Sequence, residues 1–152
     1  MTEARENPDR PIVGVGAVVI DGGDILLIRR GKAPKAGEWS LPGGAQKLGE
    51  TTNDAVKREV FEETGLEIAL HGFLDVIDFV DHSDDGEVRF HYTLIDYLAT
   101  PCGGKLEAGS DAQDARFFSL EEALGLPLWS ETRRIIRLAE SRYDDLRKEN
   151  SS

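Results

Sequence analysis

The chain has 152 residues with a formal net charge of −11, which fits one domain around one core and excludes a protein that grips nucleic acid or a membrane surface non-specifically, since both need a basic field. Hydrophobic residues make up 39% and charged residues 31%, an ordinary globular balance, and no apolar run is long enough to span a bilayer. Cys102 is the sole cysteine, which rules out an intrachain disulfide.

In chain order, residues 1–10 read as a flexible tail without the apolar segment of a secretory leader, which with the single cysteine points to a cytoplasmic protein. A single domain is expected over 11–146, with a second flexible tail over 147–152. Ile12–Ile20 is rich in β-branched residues and ends at Asp21-Gly22-Gly23. Asp24–Arg30 follows, so the two are expected to form a hairpin. Residues 31–44 form a glycine-rich loop containing GEWSLPGG at 37–44, a segment of the kind that carries function. Trp39 within it either stacks on a ligand base or pins the loop, and pinning is the default.

Thr51–Thr64 reads as a helix, with a cap among Thr51, Thr52 and Asn53 and with Gly65 at its end. Leu66–Val80 supplies one long strand or two short ones. Asp84-Asp85-Gly86 is a turn, Glu87–Ala99 a long strand, and Cys102-Gly103-Gly104 another turn. On the long strand Phe90, Tyr92 and Leu94 share one face and His91 and Thr93 the other. Ala115–Phe118 is a short strand, Ser119 caps a short helix over 120–124, and Ser130 caps a final helix. In it Ile135, Leu138, Ala139, Tyr143 and Leu146 recur at helical spacing. Strands, helix, strands and helices in this order give an α/β or α+β fold with a mixed sheet.

The chemistry concentrates in the first helix. Glu59, Glu62 and Glu63 lie at i, i+3 and i+4, on one face about a turn apart. Like charges so placed destabilise a helix, and near its C-terminus the macrodipole disfavours them further. A solvated acidic face is the bland explanation. A hard dication is the chemical one, because Mg²⁺ takes carboxylate and phosphate oxygens. Glu50 and Arg58 could pair and hold the preceding loop against the helix. Asp81-x-Ser83-x-Asp85-Gly86 looks like the start of a calcium loop but has Tyr92 where glutamate is needed, and GKAPKAG at 31–37 lacks the placement of a P-loop.

The segment GAQKLGETTNDAVKREVFEETGL, residues 44–66, resembles the Nudix box, G-x5-E-x7-R-E-U-x-E-E-x-G-U with U aliphatic. Gly44, Glu50, Arg58, Glu59, Val60, Glu62, Glu63, Gly65 and Leu66 fill every fixed position. Chance agreement at the fixed identities is on the order of 10⁻⁷. The resemblance implies an α/β/α sandwich around a central mixed sheet, and hydrolysis of the diphosphate linkage of a nucleoside diphosphate joined to another moiety. It implies Mg²⁺, with Mn²⁺ as substitute, held by Glu59, Glu62, Glu63 and the carbonyl of Gly43. It also implies an orienting pair from Arg58 and Glu50, and a phosphate contact from Arg30. Glu62 is a candidate base, and Asp111 on a later loop is the better match, with Glu107 and Asp114 as rivals. The looser pattern LLIRRGKAPKAGEWSLPGG and HYTLIDYLA resembles the ADP-ribose pyrophosphatase-like branch, although Val80–His82, where several such enzymes carry a proline, has none. The alternatives are a pool-sanitising triphosphate pyrophosphatase of the 8-oxo-dGTP type and a non-catalytic nucleotide sensor. Many relatives form homodimers, but no interface is legible in the sequence.

Overall fold

A computed structural model describes residues 5–109 and 112–150. The elements are β1 (Ile12–Asp21), β2 (Asp24–Arg30), β3 (Trp39–Ser40), β4 (Gly43–Ala45), α1 (Thr52–Thr64), β5 (Leu66–His82), β6 (Val88–Gly104), β7 (Ala112–Phe118), α2 (Leu120–Gly125) and α3 (Ser130–Asn150). Among the described residues seven strands form one mixed sheet in the order β3-β2-β1-β6-β5, with β4 added to β1 and β7 to β2. β1 runs parallel to β6, from Ile12 opposite Tyr92 to Val19 opposite Ala99. The other pairs are antiparallel.

The period-2 geometry of a strand sends alternate side chains of β1 to opposite faces. Val15, Ala17 and Val19 pack with Ala55, Val56 and Val60 of α1. Val18 and Ile20 pack with Ile135, Ile136 and Ala139 of α3. β1 is therefore apolar along most of its length because both of its faces are covered. The result is the expected sandwich, with α1 on one side of a mixed sheet and α2 and α3 on the other.

β1 and β2 leave each other soon after their turn, pairing only at Ile20↔Ile25 and Asp21↔Asp24. β4 fills the space beside the first half of β1, with Val15 opposite Gly44 and Gly16 opposite Gly43. The loop expected over 31–44 thus contains two short strands. They carry no alternating pattern of their own, because backbone pairing with a neighbouring strand makes them.

Several boundaries differ from expectation. Cys102-Gly103-Gly104 is not a turn: β6 continues through it, pairing Gly103 with Glu67 and Gly104 with Leu66. The long partner β5 extends the ladder, and the chain turns away only at Gly104, which has φ 80°. The last helix begins at Ser130 itself, where Arg133 N–H already bonds Trp129 O, and it continues to Asn150, past the boundary expected at 146. Within the expected N-terminal tail, Asn7 N–H donates to Arg89 O at 2.8 Å.

Candidate active site

α1 is fixed at both ends. Thr51 accepts from Asp54 N–H at 3.1 Å, and Gly65, left-handed at φ 75°, donates to Phe61 O. A Cβ at Gly65 would also collide with Lys105 O, so glycine is needed there for conformation and for space. With Val56 and Val60 fully buried, the rotation of the helix is set, and its acidic residues meet β4.

Arg58 organises them. Its Nε and Nη2 grip Glu50 at 2.6 and 2.9 Å, its Nη1 donates to Glu59 at 2.7 Å and to Glu62 at 3.1 Å, and Nη2 also donates to Ala45 O at 3.0 Å. This planar fork is the geometry that lysine cannot reproduce. The Arg58 hydrogen bond holds the Glu50 carboxyl well down, at about 2, with help from Lys47 N–H. Glu50 in turn pushes the guanidinium of Arg58 further up. Glu50 and Arg58 therefore do form the loop-to-helix clamp.

Glu63 is buried, and its Oε1 accepts from Gly43 N–H at 2.6 Å. β4 and α1 are so close that a Cβ on Gly44 would overlap the Glu59 carboxylate, which is why the strand is glycine there. The triplet is graded in exposure: the Glu62 side chain is half exposed, that of Glu59 is mostly covered, and Glu63 is buried. Among the described residues no three acidic or histidine groups already converge on a single point. The chemistry of the set still fits a hard dication. It offers carboxylate oxygens at the edge of a cavity, with glycine backbone approaching them and an arginine already balancing part of their charge.

That cavity, about 190 Å³, opens from Glu59, Glu63 and Gly43 onto the α3 side of the sheet. Gly14 and Gly16 leave room where β1 would otherwise place side chains, and Tyr92 and Leu94 of β6 form part of the lining. The face of β6 assigned by default to the core thus serves both roles. Phe79 and Trp129 meet edge to face at 5.5 Å, with Lys35 Nζ 4.9 Å from the centre of the Trp129 ring. Arg30, Lys32 and Lys35 line the same space, supplying local positive charge on a chain that is acidic as a whole. Arg30 Nε is tied to Pro34 O at 2.7 Å. Trp39 lines the cavity and is also pinned edge to face on Phe118 at 5.0 Å.

Asp111 lies outside the described residues. The segment leading to it is stitched to the end of α1: Lys105, Glu107 and Gly109 donate to Gly65 O, Thr64 O and Glu63 O. Of the rivals, Asp114 is held by Arg116 Nε and Nη2 on β7, and that hydrogen bond lowers its pKa. Neither Asp114 nor Glu107 lines the cavity. Sequence reasoning passed over Asp96, which is 6% exposed and does line it. The signal was present: Asp96 continues the alternation Phe90, Tyr92, Leu94 as an acid on an otherwise apolar face.

The three-layer sandwich thus sets an arginine-organised acidic helix against a glycine strand, beside a cavity that Arg30, Lys32 and Lys35 also line. The sequence model described as the NUDIX domain matches residues 10–139, and the chain belongs to that family. It is similar to the ADP-ribose pyrophosphatase of Methanocaldococcus jannaschii, with 40% identity over 110 residues, covering 72% of this chain and 63% of that protein. It is similar to the putative 8-oxo-dGTP diphosphatase 2 of Mycobacterium tuberculosis, with 48% identity over 59 residues, covering 38% of this chain and 41% of that one. The crystal structure of the MutT NUDIX hydrolase from Burkholderia pseudomallei superposes with a TM-score of 0.70 at 36% identity, covering 86% of this chain and 98% of that one. Among the described residues no helix is long and apolar enough to cross a membrane.

Proposed function

We propose that this chain is a divalent-metal-dependent hydrolase of the diphosphate linkage in a nucleoside diphosphate joined to another group, with ADP-ribose or a nucleotide sugar favoured. One observation carries the reading: Glu59, Glu63 and Gly43 line the same cavity as the aromatic side chains of Phe79, Tyr92 and Trp129. A substrate with a phosphate end and a flat, apolar end fits such a space. The likeness to the archaeal ADP-ribose pyrophosphatase supports the choice of substrate.

Glu59, Glu62, Glu63 and the Gly43 carbonyl would hold Mg²⁺, or Mn²⁺ in its place. When bound, such an ion neutralises phosphate charge and acidifies a water. Arg58, pinned bidentately by Glu50, keeps Glu59 and Glu62 oriented. Arg30 meets a phosphate oxygen at the cavity edge, and Trp39 walls the space beside it. Asp111 takes the proton of the attacking water, and Glu62, the most exposed of the triplet, is the other group able to do so. The products are a nucleoside monophosphate and the phosphorylated second group.

The test is a hydrolysis screen over ADP-ribose, nucleotide sugars, dinucleoside polyphosphates and 8-oxo-dGTP, with Mg²⁺ and Mn²⁺ compared. ADP-ribose is expected to be turned over, and Glu62→Gln and Glu63→Gln to lose about 10²-fold or more in kcat. Undiminished turnover in both variants overturns the mechanism. The second reading, a triphosphate pyrophosphatase of the 8-oxo-dGTP type, rests on the mycobacterial relative and prevails if 8-oxo-dGTP is the better substrate. A metal-binding chain that binds nucleotides and hydrolyses none is a sensor instead.

A further inference from the structure

Asp96 is an acid in the wrong place for stability. It sits in the middle of β6 with Gly16 of β1 on one side and Asp75 of β5 on the other. Only 6% of it is exposed, and no hydrogen bond to its carboxyl is found among the described residues. The cation whose charge acts on it, Arg134 of α3, spends its donors on Asp75 at 2.9 Å and on Glu131 at 2.7 Å. Burial, then the neighbouring Asp75 charge, raises the Asp96 pKa to about 6. Among the described residues, no side-chain oxygen is sealed away without a partner. The Asp96 oxygens are therefore not locked inside protein, and the space they reach is the cavity that Asp96 lines.

Gly16 makes that access possible. A Cβ there would lie 2.6 Å from Asp96 Oδ1, so any side chain at position 16 would cover the carboxyl. The same cavity wall carries Leu94, Tyr92, Phe79 and Trp129. An apolar enclosure with a buried, accessible acceptor among its aromatic walls fits a planar heterocycle that brings its own N–H donor. Position agrees: Asp96 pairs with Gly16 and Gly16 with Gly43, which puts it two strand spacings, about 10 Å, from the strand against which the acidic helix packs. That separation suits the base and the diphosphate of one nucleotide.

We infer that Asp96 is a specificity-determining residue that accepts a hydrogen bond from the exocyclic amine of a purine held in this cavity. The inference rests on the reading of the site as a nucleoside diphosphate pocket and adds the chemistry by which that pocket selects its base. Adenine offers a 6-amine and guanine a 2-amine. A purine without the amine leaves the buried carboxyl unpaired, and an unpaired buried acceptor is costly.

Two matched pairs test this by calorimetric binding: ADP against purine riboside 5′-diphosphate, which lacks only the 6-amine, and GDP against inosine diphosphate, which lacks only the 2-amine. The native protein is expected to favour the amine by at least about tenfold in one pair, and Asp96→Ala to bring that ratio within about twofold of unity. Asp96→Asn keeps the volume and a neutral acceptor, so it serves if the alanine variant does not fold, and its preference falls between the two. No preference in either pair, or a preference undiminished in the variants, overturns the inference. If the native protein hydrolyses nucleoside diphosphate derivatives yet shows no preference, only the inference fails. If it neither binds nor hydrolyses any of them, the reading of the site fails and the inference with it.

Discussion

At the scale of single residues, two carboxyls are perturbed in opposite directions, and each has a pH signature. Glu50 is held at about 2 by Arg58 against an ordinary 4.5. A depressed acid stabilises the fold above its unfolded pKa, and that contribution is lost as pH falls through the folded value. Glu50→Gln is therefore expected to lower Tm between pH 5 and 8, with the gap to the native protein closing from about pH 4.5 towards 2. Thermal melts across that range check it. Asp96 runs the other way, raised from 3.8 to about 6. A raised acid contributes stability below 3.8 that is lost as pH climbs through 6. Asp96→Asn should then raise stability at pH 8 by about 1–3 kcal/mol and by little at pH 4. A gain over the native protein no larger at pH 8 than at pH 4 contradicts the assignment.

At the scale of elements, the acidic helix works because its ends and its apolar face are fixed before its charges matter. Gly65 ends α1 left-handed, and the segment 105–109 bonds to the carbonyls just exposed there. Gly65→Ala is expected to cost about 1–3 kcal/mol, from left-handed strain plus the collision with Lys105 O. It should also weaken catalysis, because it moves the segment that leads to Asp111. Urea denaturation and kcat measured on one preparation check both. β4 is the complementary element. Its glycines were legible as a functional loop, but its strand character was not. A three-residue strand has no periodicity to read, and its pairing with β1 exists only once β2 has diverged. The turn expected at 102–104 failed for a related reason: glycines signal turns locally, whereas the ladder with β5 carried β6 two strand residues beyond Cys102.

At the scale of the whole molecule, a chain with a net charge of −11 would need local cations to draw in the anionic substrate proposed for it. Arg30, Lys32 and Lys35 gather at the cavity, and a bound dication would add to them. Binding to the folded state alone raises stability by about 2.7 kcal/mol at a hundredfold excess over Kd, or roughly 5–10 °C in Tm for a chain of this size. Millimolar Mg²⁺ or Mn²⁺ is expected to raise Tm in the native protein and much less in Glu63→Gln, with EDTA reversing the gain. An equal shift in both proteins would remove Glu63 from the proposed ligand set.

The resemblance to the Nudix box implied the sandwich and the pairing of Arg58 with Glu50; the sequence by itself determined the order of strands and helices and the acidic face of the first helix. These depend on short-range spacing, helical period and strand alternation, which a linear chain displays directly. Only the tertiary structure decided that Gly14 and Gly16 hollow out the sheet, that Tyr92 and Leu94 line the resulting space as well as the core, and that Asp96 opens into it. Those facts are set by which strands lie side by side. Residue 16 meets residue 96 only across a parallel pairing, eighty residues apart in the chain, and nothing local in the sequence marks such a meeting.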